Sequence, residues 1–305
     1  MTGTAATPAA WREVWWLRRL ARGGGAWPAV PAVLYLVVMM VLPLCVLFSF
    51  GFVTIERGRV VPGSFTLEHY RRILADPLSW LLFWRSFWIG AVSTALCLAL
   101  GYPLAYLYTV LGSLGRKILL VAVISPLLTS ALVRTYAWLV ILGGRRGLLN
   151  TLLLSLGLID TPVRILNTDL AVLVGMTQIH LPFMILPLMA VLAARDRFME
   201  EASLNLGASR VQTFFRVVVP LSLPGIGAGT TLVFAVSYTN FIIPQLLGGG
   251  NYSTVAVKVY EQTIVILDWA TGAVLAALLL VSCFVFVFLI TYATDRLTAW
   301  SERSR

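Results

Sequence analysis

The chain has 305 residues, 59% of them hydrophobic and 12% charged, with a mean hydropathy of +0.88. A soluble domain is about 45–50% apolar and about 25% charged, so this composition excludes a water-soluble enzyme, a disordered scaffold and a secreted disulfide module. The net charge of +10 comes from scattered Lys and Arg with no aromatic-interleaved basic patch, which fits membrane-flanking segments and not nucleic-acid binding.

Residues 1–27 hold the basic stretch Arg12 to Arg22 and read as an N-terminal tail. The apolar run from Pro28 to about Phe50 then matches the roughly 20 residues a membrane helix needs. It is longer than a signal-peptide core of about 7–15 residues, and no small-residue cleavage pattern follows, so it is read as a retained span. Thr66 to Leu74 reads as a short helix in the next loop. Spans two and three are predicted at 85–111 and 118–142. Pro103 and Pro126 inside them, like Pro182 and Pro187 further on, are compatible with membrane helices, where neighbours satisfy freed carbonyls.

The third span carries Arg134, a side chain that costs about 2.5–3.5 kcal/mol at a membrane helix centre. Counting from residue 118 at about 1.5 Å per residue puts it about 25 Å along, nearer the outer surface. There it either snorkels to the interface or joins Tyr136 and Trp138 at the outer end of a solute path. Gly147 to Leu156 reads as another short loop helix. Span four, 169–194, includes His180 within Gln178-Ile-His-Leu-Pro182, read as a histidine hydrogen-bonded inside the bundle in preference to a proton relay.

The loop 195–220 holds most of the functional information. Asp196 is a candidate N-cap and Gly207 a natural residue just beyond a helix end. Ser209 can cap a second helix from Arg210 to about Val218, which Pro220 terminates. Two short helices meeting at a glycine predict a compact knob, with Leu204, Leu206, Phe214 and Phe215 as its apolar contact surface.

Span five, 222–247, contains Gly225 and Gly229, spaced for close helix approach, and the polar stretch Ser237-Tyr-Thr-Asn240. Tyr238 and Asn240 in that stretch hydrogen-bond either a solute or a neighbouring helix. The following Gly248-Gly-Gly-Asn-Tyr-Ser-Thr lacks the lysine of a phosphate-binding loop and reads as a hinge or loop. Span six covers 269–293, and 294–305 reads as a C-terminal tail. The expected fold is therefore an all-α integral membrane protein with six transmembrane helices over 28–293 and a two-helix knob between spans four and five.

Segments 1–27, 112–117, 195–219 and 294–305 hold 13 Lys and Arg in 70 positions, against 8 in 79 for the opposite segments. That bias puts both termini in the cytoplasm. Trp27, Trp80 and Trp269 fall near span ends, as an aromatic belt requires. All thirteen Asp and Glu lie in loops, tails or at span ends, so no membrane carboxylate is available for proton or sodium coupling. Cys45, Cys97 and Cys283 each sit in an apolar run and read as small hydrophobes, with no metal-ligand spacing. No catalytic constellation appears. Neither does a Gly-x-x-x-x-Gly-Lys-[Ser/Thr] loop, so ATP-driven work would need another polypeptide.

Glu201-Ala202-Ser203, three residues, Gly207, nine residues and Val217-Val-Val-Pro220 resemble the loop signature of binding-protein-dependent ABC importer permeases. That signature reads Glu-Ala-Ala, three residues, Gly, nine residues, Ile, any residue, Leu-Pro. This chain departs from it at Ser203, Val217 and Val219, each time keeping size or character. Leu67-Glu-His-Tyr70, Leu100-Gly-Tyr-Pro-Leu-Ala105, Val133-Arg-Thr-Tyr-Ala-Trp138, Gly147-Leu-Leu-Asn150 and Pro244-Gln-Leu-Leu-Gly-Gly249 look like the polyamine-type branch, and within it the first of two paired permeases.

The resemblance implies that the loop forms a cytoplasmic coupling helix between spans four and five, docked in a cleft of an ATP-hydrolysing subunit. Gly207 then permits the turn at the tip, and Ala202 and Ser203 allow close approach. Glu201 supplies a charge, with Arg197, Arg210 or the partner as mates. It further implies a multi-pass protein of the bacterial inner membrane that is not itself an enzyme. Its partners are a second permease, two ATPase subunits carrying ATP and Mg, a periplasmic solute-binding protein and the lipid bilayer. The implied solute is putrescine or spermidine; another organic cation, an amino-acid derivative or ferric ion stays open, and a self-sufficient secondary carrier is the rival class.

Overall fold

The computed structural model describes residues 30–56, 59–60, 65–196, 198–250 and 252–303. The tail 1–27 with Trp27, Pro28 at the predicted start of span one, Arg197 and residues 304–305 lie outside the described residues. The chain divides into two units, 1–50 and 51–305. The first contains helix α1, Val30–Ser49, in which no residue is buried. Its uninterrupted Val, Leu and Met surface is one that hydrocarbon tolerates and water does not.

The second unit opens with a small antiparallel hairpin, β1 (Ile55–Glu56) and β2 (Arg59–Val60), a minor exception to an all-helical chain. Helix α2, Glu68–Ala75, follows close to its predicted place. Helix α3, Pro77–Val110, starts eight residues before the predicted span because Asp76 caps it and Pro77 occupies its first turn. The Asp76 carboxylate accepts from the Leu78 and Ser79 amides and from the Ser79 hydroxyl.

The predicted third span is not one straight helix. It is a pair, α4 (Ser113–Ile124) and α5 (Ala131–Leu142), bent by 95°. Pro126 lacks an N–H, the chain tightens into a 3₁₀ turn over Ser125–Leu128, and Thr129 and Ser130 become extended before α5 begins. The described residues therefore hold five helices long and apolar enough to cross a membrane, and six if the bent pair counts as one. Pro103, Pro182 and Pro187, by contrast, stay inside helices.

After the short helix α6, Leu148–Ser155, comes α7, Asp169–Ala194, capped by Thr168. Helices α8 (Phe198–Asn205) and α9 (Arg210–Thr213) form the predicted knob. The expected stop at Pro220 does not occur. A π turn over Phe214–Val218 carries α9 directly into α10, Val219–Tyr238. In that turn the Val219 amide reaches back five residues to the Phe214 carbonyl, so the register already shifts just before the proline that has no amide to offer.

Predicted span five likewise ends early, at Tyr238, and a separate short helix α11, Ile242–Leu247, follows. A helix absent from the sequence reading, α12 (Val255–Tyr260), is capped by Thr254 and packs buried valines inward. The last helix, α13, runs Trp269–Arg303, so most of the predicted tail continues span six as helix.

The core of this unit lies where α3, α7 and α10 meet, around Cys97, Met184, Ile185, Leu188 and Val233. Gly225 and Gly229 let α10 press against α7. A Cβ at Gly229 would stand 2.7 Å from Met184 Sδ, and one at Gly225 3.0 Å from Val191 Cβ. On the opposite side of α10, Phe234 and Tyr238 pack with Phe286 of α13.

Candidate functional site

Two sites emerge from this framework, a knob between α7 and α10 and a polar patch inside the spans. In the knob, the Phe198 amide donates to Asp196 Oδ1 at 2.9 Å, starting α8. The helix ends as a Schellman motif: Gly207 N–H bonds the Leu204 carbonyl and Ala208 N–H the Ser203 carbonyl. Gly207 adopts φ +87°, a left-handed conformation that other residues enter at a cost, with no atom near the position of an added Cβ. Ser209 and Gln212 then close a capping box on α9. Ser203 and Thr213 brace the two arms through their hydroxyls at 3.0 Å.

The knob is anchored by a residue the sequence reading passed over. Glu200, not Glu201, makes the ion pair, with Arg195 at 2.9 Å. Glu200 also accepts from the Tyr106 hydroxyl, and the Arg195 guanidinium lies over the Tyr106 ring. Glu201 is exposed and pairs with no described residue. Adjacent helical positions point about 100° apart, so only one acid of the pair can face Arg195. Phe214, predicted as contact surface, instead turns inward between Tyr102 and Tyr106. Leu206, Val211 and Phe215 remain as an exposed apolar rim around Gly207, with Leu206 89% exposed.

In the patch inside the spans, α5, α7 and α10 bring Arg134, Trp138, Gln178, His180 and Ser237 into one neighbourhood. Trp138 Nε1 donates to Gln178 Oε1 at 3.3 Å, and His180 Nδ1 shares a 2.8 Å hydrogen bond with Ser237 Oγ. Arg134 stands one helical turn before Trp138 in α5 and so shares its side of the helix, toward α7. Gln178 lies well inside α7, so the Trp138 contact sets α5 against the interior of that span and out of line with an unbroken helix from residue 118, which the 95° bend interrupts. Tyr136 points outward and is half exposed.

Tyr238 and Asn240 are not part of that patch. The Tyr238 hydroxyl bonds Ser282 of α13 at 2.8 Å, its ring stacked on Phe234. Asn240 Oδ1 accepts from the Ile243 amide and so starts α11. Two further positions gain roles the sequence did not signal. Buried Asn150 bonds Gly144 and Val163 three times and ties up the loop after α5. Arg85 pairs with Asp169 at 3.2 Å while lying 3.8 Å over the Tyr252 ring, joining α3, α7 and the segment after α11. Burial, followed by the Asp169 charge, pushes the Tyr252 phenol up from its ordinary value.

Residues 123–299, which include the whole knob, match the family of binding-protein-dependent transport system inner membrane components. The chain belongs to that family. It is 33% identical over 263 residues to the spermidine/putrescine transport system permease protein PotB of Haemophilus influenzae, covering 86% of this chain and 91% of that one. To PotB of Escherichia coli it is 38% identical over 239 residues, covering 78% and 86%. The fold also matches a bacterial ABC transporter that imports the acidic polysaccharide alginate, with a TM-score of 0.68 and 16% identity over 95% of this chain and all of that one. This family member is thus a multi-pass inner-membrane permease of an ABC importer. It is not the enzyme of that importer: an ATPase and a solute-binding protein complete the system.

Proposed function

We propose that the chain forms one half of the translocation path of an inward ATP-driven importer of putrescine or spermidine. A second permease forms the other half, and two ATPase subunits hold ATP and Mg. A periplasmic binding protein delivers the solute, and both termini lie in the cytoplasm. The identity to two spermidine/putrescine permeases over about four-fifths of the chain carries the solute class. The knob supports the coupling role. Its tip is a left-handed glycine rimmed by exposed Leu206, Val211 and Phe215, a shape suited to an apolar cleft on the ATPase. In this reading Ala202 and Ser203 form the side of the inserted surface, Glu201 is free to meet an ATPase charge, and Pro220 carries motion of the knob into α10 without a break. Tyr136 and Trp138 line the path beside Arg134, whereas Tyr238 and Asn240 act by holding α10 and α11 in place.

The test is to purify the tagged chain from its native membranes in gentle detergent and identify what comes with it by mass spectrometry. An ATPase and a second permease are expected. Calorimetry on the associated binding protein is expected to show putrescine or spermidine binding. Binding of ferric ion or an amino-acid derivative alone would overturn the polyamine assignment, and recovery of the chain without an ATPase would overturn the importer assembly.

A further inference from the structure

We propose that Arg134 is neutralised inside the membrane by a carboxylate on a span of the second permease, an inference that rests on the two-permease reading above. Arg134 Nε and Nη1 are buried and have no hydrogen-bond partner. The nearby acceptors are already engaged: Gln178 Oε1 by Trp138, and His180 Nδ1 with Ser237. Ion pairs among the described residues use Asp169, Glu200 and Glu261, and every Asp and Glu of the chain lies in a loop, a tail or at a span end. A partly buried guanidinium with two buried, unpartnered N–H groups is destabilising until an acceptor meets it, and its fork matches a carboxylate through two parallel bonds.

The supplier must come from the open side of α5, where Leu132, Val133, Tyr136 and Val140 are exposed. A lipid phosphate does not fit a cation one helical turn from Trp138, whose indole reaches Gln178 well inside α7. A second copy of this chain does not fit either, because it brings another Arg134 and no acid within a span. The remaining occupant is a different permease with an Asp or Glu inside a span. Such a pair also removes the repulsion that a bare guanidinium would exert on a polycationic solute.

The decisive experiment uses the Arg134→Lys chain in the assembled complex, treated with the membrane-permeant reagent dicyclohexylcarbodiimide. The reagent activates a neighbouring carboxyl, takes up the elements of water as its urea, and leaves an amide to the introduced ε-amine. Mass spectrometry is expected to find this cross-link on an Asp or Glu within a span of the co-purifying permease. A cross-link to this chain's own acids, or none although the second permease is present, overturns the proposal. Absence of any second permease from the wild-type complex overturns the reading beneath it.

A second test does not depend on Arg134→Lys folding. Arg134→Gln is expected to lower uptake by about tenfold or more. Neutralising one span-embedded acid of the partner permease to its amide in the same background is expected to restore it, because both buried charges then disappear together. Undiminished uptake in Arg134→Gln, or failure of every such acid to restore it, also overturns the pairing.

Discussion

At the scale of single residues, Gly207 and Asp76 show how backbone conformation and hydrogen bonding decide what a position can carry. Gly207 has open space where a side chain would go, but its φ of +87° penalises any Cβ by about 1–2 kcal/mol. Gly207→Val is therefore expected to distort the tip, not the core. Uptake and transport-linked ATP hydrolysis should be lost while the chain still inserts in the membrane; normal uptake would remove the knob from the coupling mechanism. Asp76 is held below the ordinary carboxylate range, first by the Ser79 hydroxyl and then by the Leu78 amide. A lowered folded-state pKa stabilises the folded form above the unfolded value of about 3.9 and loses that effect as pH falls through the folded value. Protection from hydrogen exchange in the first turn of α3, taken relative to the intrinsic rate at each pH, should therefore hold at neutral pH and fall below about pH 4. In Asp76→Asn the acid-induced change should vanish, and an unchanged pH profile in that variant would remove the carboxylate from the cap.

At the scale of elements, the contact of α10 with α7 depends on small residues. Gly229→Leu would push a side chain into Met184, whose Sδ lies 2.7 Å from the Cβ position. Overpacking of this kind costs about 1–3 kcal/mol, so thermal unfolding in detergent should begin several degrees lower, and an unchanged midpoint would mean that the helices can separate freely. The same helix illustrates how much of an element is legible in sequence. The Ser209 cap of α9, which leads into it, was readable because it depends on local chemistry, whereas the end of α10 at Tyr238 was not. Nor was its continuity through Pro220. A proline stops a helix or is absorbed by a π turn according to what packs around Phe214, and Phe214 is held by Tyr102 and Tyr106 from α3. Pro126 shows the converse: prolines at 103, 182 and 187 leave α3 and α7 continuous, whereas the chain around 126 turns through 95°.

At the scale of the whole molecule, the spans contain apolar surface, one unpaired guanidinium and no carboxylate. Such a chain offers no span carboxylate to couple solute movement to a proton or sodium gradient. Reconstituted alone in liposomes, it is expected to give no uptake under either gradient or with ATP. The complete complex should transport only with ATP, and gradient-driven uptake by the isolated chain would return the secondary carrier to consideration. The exposed Leu206, Val211 and Phe215 rim and the open face of α5 are both incomplete surfaces, as expected of one subunit among several.

Read without coordinates, the chain already reveals a multi-pass membrane protein and the residue at which the knob turns. Those features rest on apolar length, on the distribution of charge and on the one residue type that enters a left-handed turn freely. Packing alone settles that Glu200 and not Glu201 is the anchor, that Tyr238 faces α13, and that Trp138 of α5 meets Gln178 of α7. Neighbouring residues on a helix differ by about 100° in direction, and which direction becomes interior is set by helices far away in the chain.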